Sequence, residues 1–173
     1  MDARIEKSIK KIQDAFLVEK KGKPTDKIKV TDLCRRAGVN KTTFYNHYRD
    51  VFHLAESMEN DFIREILSGC KQTIPTIISD PRAFFTELAA VSMQKEERLR
   101  RLFRDRFLEY MDRLSHALIA EYAEYFPSEG DKVLVKICLV GFPYFLEKDF
   151  SDEKLKTAID WICKIIETTK RGE

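Results

Sequence analysis

Apolar residues recur every three or four positions along most of the chain, and no stretch shows the strict alternation of a β-strand. Over residues 4–20 the stripe runs Ile5, Ile9, Ile12, Ala15/Phe16, with lysines on the other face. That is an amphipathic helix with one buried side. Lys21, Gly22, Lys23 and Pro24 end it, because glycine permits a helix stop and proline cannot continue one. Residues 28–39 form a short helix that turns Leu33 and Ala37 inward and closes at Gly38. Asn40 is a good N-cap for the next short helix, from Lys41 to about Arg49. A longer stripe then carries Leu54, Met58, Phe62 and Ile66.

Residues 73–81, with Pro75, Pro81 and the capping pair Ser79/Asp80, break the pattern. A helix from Pro81 to about Gln94 follows through Phe84, Phe85, Leu88 and Val91. Leu99, Leu102/Phe103, Phe107, Tyr110, Leu114, Leu118 and Tyr122 hold the period for more than about six turns and predict one long helix. Residues 127–130 interrupt it, and two helices close the chain, over 131–147 and from the cap Ser151 to about Lys170. The expectation is an all-α chain of about nine helices and no strands.

Hydrophobic residues make up 43% of the 173, enough for a packed core. The net charge of +2 hides an asymmetry. Residues 1–50 hold 13 Lys/Arg against 7 Asp/Glu, a surplus of +6, and residues 51–173 hold 18 against 22, a deficit of −4. A basic front and a mildly acidic back suit a front that meets a polyanion. Cys34, Cys70, Cys138 and Cys163 are widely spaced, with no C-x-x-C and no signal peptide, which points to a reducing cytoplasm. The longest apolar run, residues 133–146, is broken by Lys136, Gly141 and Pro143 and is too short to span a bilayer.

The chemistry concentrates in residues 29–48. Two short helices joined by Ala37, Gly38 and Val39 make a helix-turn-helix, with a glycine at the turn for a left-handed backbone. At about 100° per residue, with Phe44 pointing inward, Thr42 and Asn46 point nearly the opposite way and Thr43 and Tyr45 flank them. That face is small and polar, as entry into a major groove demands. Asparagine bonds bidentately to adenine, and threonine offers a hydroxyl or a methyl to base edges. Lys41 adds attraction to phosphate or guanine, and Tyr45 and His47 can donate to phosphates, which positions a helix without reading sequence.

Ile28, Val30, Asp32, Leu33, Ala37, Gly38, Val39, Thr43, Tyr45, His47 and Tyr48 make this segment resemble the DNA-binding region of the tetracycline repressor-like (TetR) family. Ile9, Ile12, Ala15 and Phe16 resemble the family's first helix, so the likeness covers about residues 4–60. It implies a three-helix helix-turn-helix DNA-binding domain over residues 1–50 and a helical ligand-binding and dimerisation domain over 51–173. It places the second helix at Val30–Ala37 and the recognition helix at residues 41–48. Thr31, Lys41, Thr42, Thr43 and Asn46 then fall where the family meets bases, and Asn40, Tyr45 and His47 where it meets the backbone. Lys29 stands where the family often has a Ser/Thr cap and phosphate ligand, and Val51 where it often has a phosphate-gripping lysine.

The resemblance further implies double-stranded operator DNA as partner, an unknown small-molecule effector, and a homodimer through the last two helices. Residues 131–147 are apolar almost all round, and Leu155, Ala158/Ile159, Ile162 and Ile165/Ile166, with Trp161 beside them, suit a four-helix seam across a two-fold axis. The family implies a repressor, although the short C-terminal part is also similar to subgroups that include activators. The alternative is a ligand- or partner-binding module or co-activator that kept the fold and lost operator binding, for which Val51 speaks. The five arginines between residues 98 and 106 read as a solvated face or, less simply, an anionic effector site. No spacing suggests a catalytic triad, a phosphate loop, a cofactor or a metal, so an enzyme is the remote third reading.

Overall fold

The computed structural model describes residues 3–103, 106–146 and 151–171, with backbone alone at 143–146 and 171. Among them the chain is all-helical, with nine α-helices, three single-turn 3-10 segments and no strand. In order they are α1 (Ala3–Lys20), α2 (Val30–Ala37), α3 (Lys41–Tyr45), α4 (Val51–Gly69), α5 (Pro81–Gln94), α6 (Glu96–Phe103), α7 (Phe107–Glu121), α8 (Glu129–Leu146) and α9 (Asp152–Arg171).

Local chemistry sets most of these bounds. Asp80 caps α5, its carboxylate accepting from the Ala83 N–H at 3.2 Å, and Pro81 occupies the first helical position, where a missing N–H costs nothing. At α8, Ser128 Oγ accepts from the Asp131 N–H at 3.0 Å and donates to the Asp131 carboxylate at 2.7 Å. This box starts the helix at Glu129, ahead of the expected residue 131, and draws Gly130 into its first turn. Glu147, the expected last residue of that helix, lies outside the described residues.

The stripe from Leu99 to Tyr122 belongs to two helices rather than one. Arg106 leaves the helical region, with φ −112° and ψ 37°, and separates α6 from α7. Periodicity did not reveal the break because Leu102, Phe103 and Tyr110 are buried on both sides of it, in phase.

The chain divides into two compact units. One holds the described residues of Met1–Phe62 and Glu97–Arg104, the other those of Ile63–Glu96 and Asp105–Glu173. The helix-turn-helix unit therefore runs past residue 50 into α4 and takes in most of α6. Its core includes Ile12, Phe16, Leu33, Phe44, Leu54 and Phe62, none of them exposed. The Arg98 guanidinium lies over the Phe62 ring at 5.5 Å, and Arg101 pairs with Glu97.

In the second unit α8 packs on α7 and α9, and α5 packs on α9. Arg82 bonds Asp160 across the last pair at 2.6 Å. Gly69 lets the end of α4 approach α5, since a Cβ there would lie 2.8 Å from Val91 Cγ1. Ala158, Ile159, Ile162 and Ile166, expected along a seam between copies, are buried within this unit. Trp161 and Ile165 stay exposed, as do Val133 and Ile137 on α8. No described helix is long and apolar enough to cross a membrane.

Glu19 ties α1 to α2. Its side chain, 8% exposed, accepts from Lys23 Nζ at 2.7 Å and from Arg36 Nε at 2.9 Å. The Lys23 ammonium and then the Arg36 guanidinium hold its carboxyl below the ordinary range, against burial that pushes it up. A lowered folded pKa contributes stability that is full above the unfolded carboxylate value, about 4.3, and is lost as pH falls through the folded one. Glu19→Gln should therefore melt below wild type at neutral pH, and the gap should begin to narrow as pH falls below about 4. Thermal melts across that range read it, and a gap independent of pH would remove the carboxylate from the account.

Candidate nucleic-acid interface

The helix-turn-helix is built around a buried edge. Phe44 is fully buried, Leu33 likewise, and Tyr48 is 5% exposed. The Phe44 ring meets Tyr45 edge-on at 5.4 Å and Tyr48 at 5.7 Å. Gln13 of α1 donates to the Tyr48 hydroxyl at 3.4 Å, and burial pushes the Tyr48 phenol up, so it stays neutral. Both helices are thereby oriented by what they bury.

The turn between them follows from its residues. Gly38 sits at φ 64° and ψ 38°, with its N–H on the Arg35 carbonyl, and the Val39 N–H reaches the Cys34 carbonyl at 3.0 Å. This pair of bonds closes α2 in a left-handed cap that a Cβ would strain. Asn40 then starts α3, its side-chain oxygen accepting from the Thr43 N–H at 2.7 Å and the Thr43 hydroxyl at 2.8 Å.

The helix ends at Tyr45, three residues short of the expected 48. The His47 and Tyr48 amides both donate to the Phe44 carbonyl, at 3.0 and 2.9 Å, and this tightening stops it. Asn46 nevertheless keeps helical dihedrals, φ −67° and ψ −19°, and its N–H bonds Thr42 at 2.9 Å. Its side chain therefore leaves the backbone as the next helical position would.

Around this frame the candidate residues divide. Lys41, Thr42 and Tyr45 on α3 and Asn46 at its C-cap are exposed, as are Lys29 and Thr31 at the start of α2. Neither hydrogen bond nor ion pair to another described residue engages any of these side chains. Thr43 and Asn40 differ, since each satisfies the other, and Thr43 is half-buried. The structure brings them together as the cap that holds α3. His47, half-buried, lies edge-on to Tyr48 at 6.3 Å. Lys29 takes the N-cap position of α2 without a side-chain cap bond, as a group with no acceptor must.

Charge sharpens the division. Arg35 is paired with Asp32 at 2.9 Å and Arg36 with Glu19, whereas Lys29 and Lys41 have no carboxylate partner among the described residues. Burial pushes the Cys34 thiol up, only partly offset by Lys41, so a reactive thiolate does not form beside Arg35 and Arg36. No group of His, Cys, Asp or Glu among the described residues is arranged to hold a metal ion.

The start of α4 adds what sequence reasoning missed. Asp50 accepts from the His53 N–H at 2.7 Å, and His53 Nδ1 accepts from the Arg49 N–H at 3.1 Å, a reciprocal cap. Val51 points into the core at 6% exposure, while Phe52 is 60% exposed. The signal was the stripe itself: Val51, Leu54, Ala55 and Met58 are buried, and Phe52 falls outside it.

Asn40→Ala should cost about 1 kcal/mol of stability through the lost cap. Asn40→Asp, which keeps the acceptor, should melt near wild type. Equal losses in the two variants, measured by chemical denaturation, would show that the Asn40 amide acts elsewhere.

No protein-family model matches the chain, and no curated protein or solved structure matches it.

Proposed function

We propose that the chain is a ligand-responsive transcription regulator that binds operator DNA as a homodimer through α2 and α3. The observation that carries this reading is the exposed set Lys41, Thr42, Tyr45 and Asn46, its polar groups unengaged, on a helix whose opposite side chain, Phe44, is fully buried. A surface of donors and acceptors that meet only water, on a narrow, rigid helix, suits the major groove, where base edges take the water's place. Asn46 and Thr42 are the base readers, with Thr31 beside them. Lys29, Lys41, Tyr45 and His47 address phosphates. Asn40 and Thr43 hold the helix in register rather than touch bases. With Val51 buried, Arg49, which is exposed and has no carboxylate partner among the described residues, takes the phosphate contact at the start of α4.

A single helix-turn-helix has little affinity, and paired half-sites require two copies. Val133 and Ile137 on α8, 56% and 59% exposed, and Trp161 and Ile165 on α9, 50% and 38%, leave apolar surface for a second copy to cover. A small-molecule effector would bind among the helices of the C-terminal unit and regulate the head. Repression is the expected sign. The buried Val51 favours the second reading, a module of this fold without operator binding, and the first experiment decides between them.

That experiment selects duplexes from a random-sequence library with the full chain, then titrates variants against selected and shuffled DNA. Asn46→Ala should lose about 1–3 kcal/mol on the selected duplex, tenfold to more than a hundredfold, with the shuffled duplex little changed. Tyr45→Phe should weaken both alike. Failure of the wild-type chain to enrich any sequence would sink the operator-binding reading.

The assembly is checked separately. Ile137→Glu adds a charge at a position exposed within the chain, so the fold should survive while the dimer dissociates and affinity for a paired site falls. Sedimentation at micromolar concentration reads this, and a wild-type chain that sediments as a monomer would refute the dimer.

A further inference from the structure

Two groups stand out among the cations of the N-terminal unit. Lys21 pairs with Glu97, Lys23 and Arg36 with Glu19, Lys27 with Asp26, and Arg35 with Asp32. In contrast, Lys7, Lys10, Lys11, Lys29, Lys41 and Arg49 have no carboxylate partner among the described residues. The last three belong to the helix-turn-helix and its flank. The first three do not, for they occupy the first half of α1.

Their placement is orderly. At about 100° per residue, Lys7 lies opposite the fully buried Phe16, and Lys10 and Lys11 fall to either side, so the three share an arc of about 100°. All are exposed. Lys7 and Lys11 are one turn apart, about 6 Å along the axis. Like charges at that spacing weaken a helix by a few tenths of a kcal/mol, roughly 0.2–0.5. Glu6 and Asp14, the nearest carboxylates along the helix, are exposed and close no ion pair with them. These lysines close no ion pair with a described residue, whereas just past the end of α1 and on α2 the cations Lys23, Lys27, Arg35 and Arg36 are each paired with a carboxylate. A polyanion seated on the face removes that repulsion by taking the place of condensed counterions.

We propose that the Lys7–Lys10–Lys11 face of α1 is a second DNA contact, binding the phosphate backbone of the duplex that α3 reads and carrying no sequence preference. The inference rests on the DNA-binding reading and extends its footprint to residues outside the helix-turn-helix. A backbone contact of this kind supplies affinity and register, and each phosphate engaged adds about 0.9 to the steepness of log affinity against log salt.

The test uses the full chain with K7Q, K10Q and K11Q combined, titrated by fluorescence anisotropy over a range of salt. The probes are a duplex enriched by the wild-type chain and a shuffled duplex of the same length. The triple variant should lose affinity by the same factor on both, with a salt slope shallower by about 0.9 for each contact removed. Its melting temperature should equal or exceed wild type, because the like charges are gone, and K7R/K10R/K11R should bind as wild type does. An unchanged slope and affinity, alongside a selective loss for Asn46→Ala, would overturn this inference and leave the operator-binding reading intact. A wild-type chain that bound neither duplex would overturn both.

Discussion

A five-residue helix cannot sustain itself in water, because forming its first turn fixes more backbone freedom than its few hydrogen bonds return. The candidate interface therefore depends on what holds α3 from outside. The burial of Phe44 gives the helix its orientation and a large part of its stability, and the Asn40 cap begins it in one register. Gly38 aims it, since the left-handed turn at that residue sets the direction in which the chain leaves α2. With the inward side chain fixed, Thr42 and Asn46 have no direction left to them but outward.

The same frame explains why residues of similar chemistry take different parts. Asn40 and Asn46 are both amides at the ends of one helix. The first is consumed by Thr43, while the second has no side-chain partner among the described residues. Arg36 and Lys41, five residues apart, differ likewise: the guanidinium closes on the shielded Glu19, and the ammonium has no carboxylate partner among the described residues. Which charges a fold leaves uncompensated is decided residue by residue, by the carboxylates that packing brings within reach.

In the C-terminal unit the burial of aromatic and aliphatic side chains leaves little polar surface inside, and its buried thiols are correspondingly inert. Burial pushes Cys70 up to about 12 and Cys138 up to about 11, so both remain protonated at neutral pH. Cys163 moves the same way, chiefly by burial, with Arg82 pulling against it. What this unit exposes is apolar surface on α8 and α9, set apart from the residues with which these helices pack within the chain.

Much of this was legible in the residues alone, where the signal is local. The helical period, the stop at Gly22 and Pro24, the caps at Asn40 and Asp80 and the left-handed glycine at 38 each depend on a few neighbouring residues, and each is where the pattern puts it. So is the inward Phe44 with the outward Thr42 and Asn46, because a helical wheel needs only one buried position to be oriented. Tertiary structure decided the rest. It broke the stripe of residues 99–122 at Arg106, turned Val51 inward and Phe52 outward, and buried Ile162 within its own chain while leaving Trp161 exposed. It also chose which cations find carboxylates, pairing Arg36 with Glu19 across 17 positions of sequence. Periodicity says that a residue faces something apolar, or that a charge faces water. Only the packing of distant segments says which apolar surface that is, and which charges are left over.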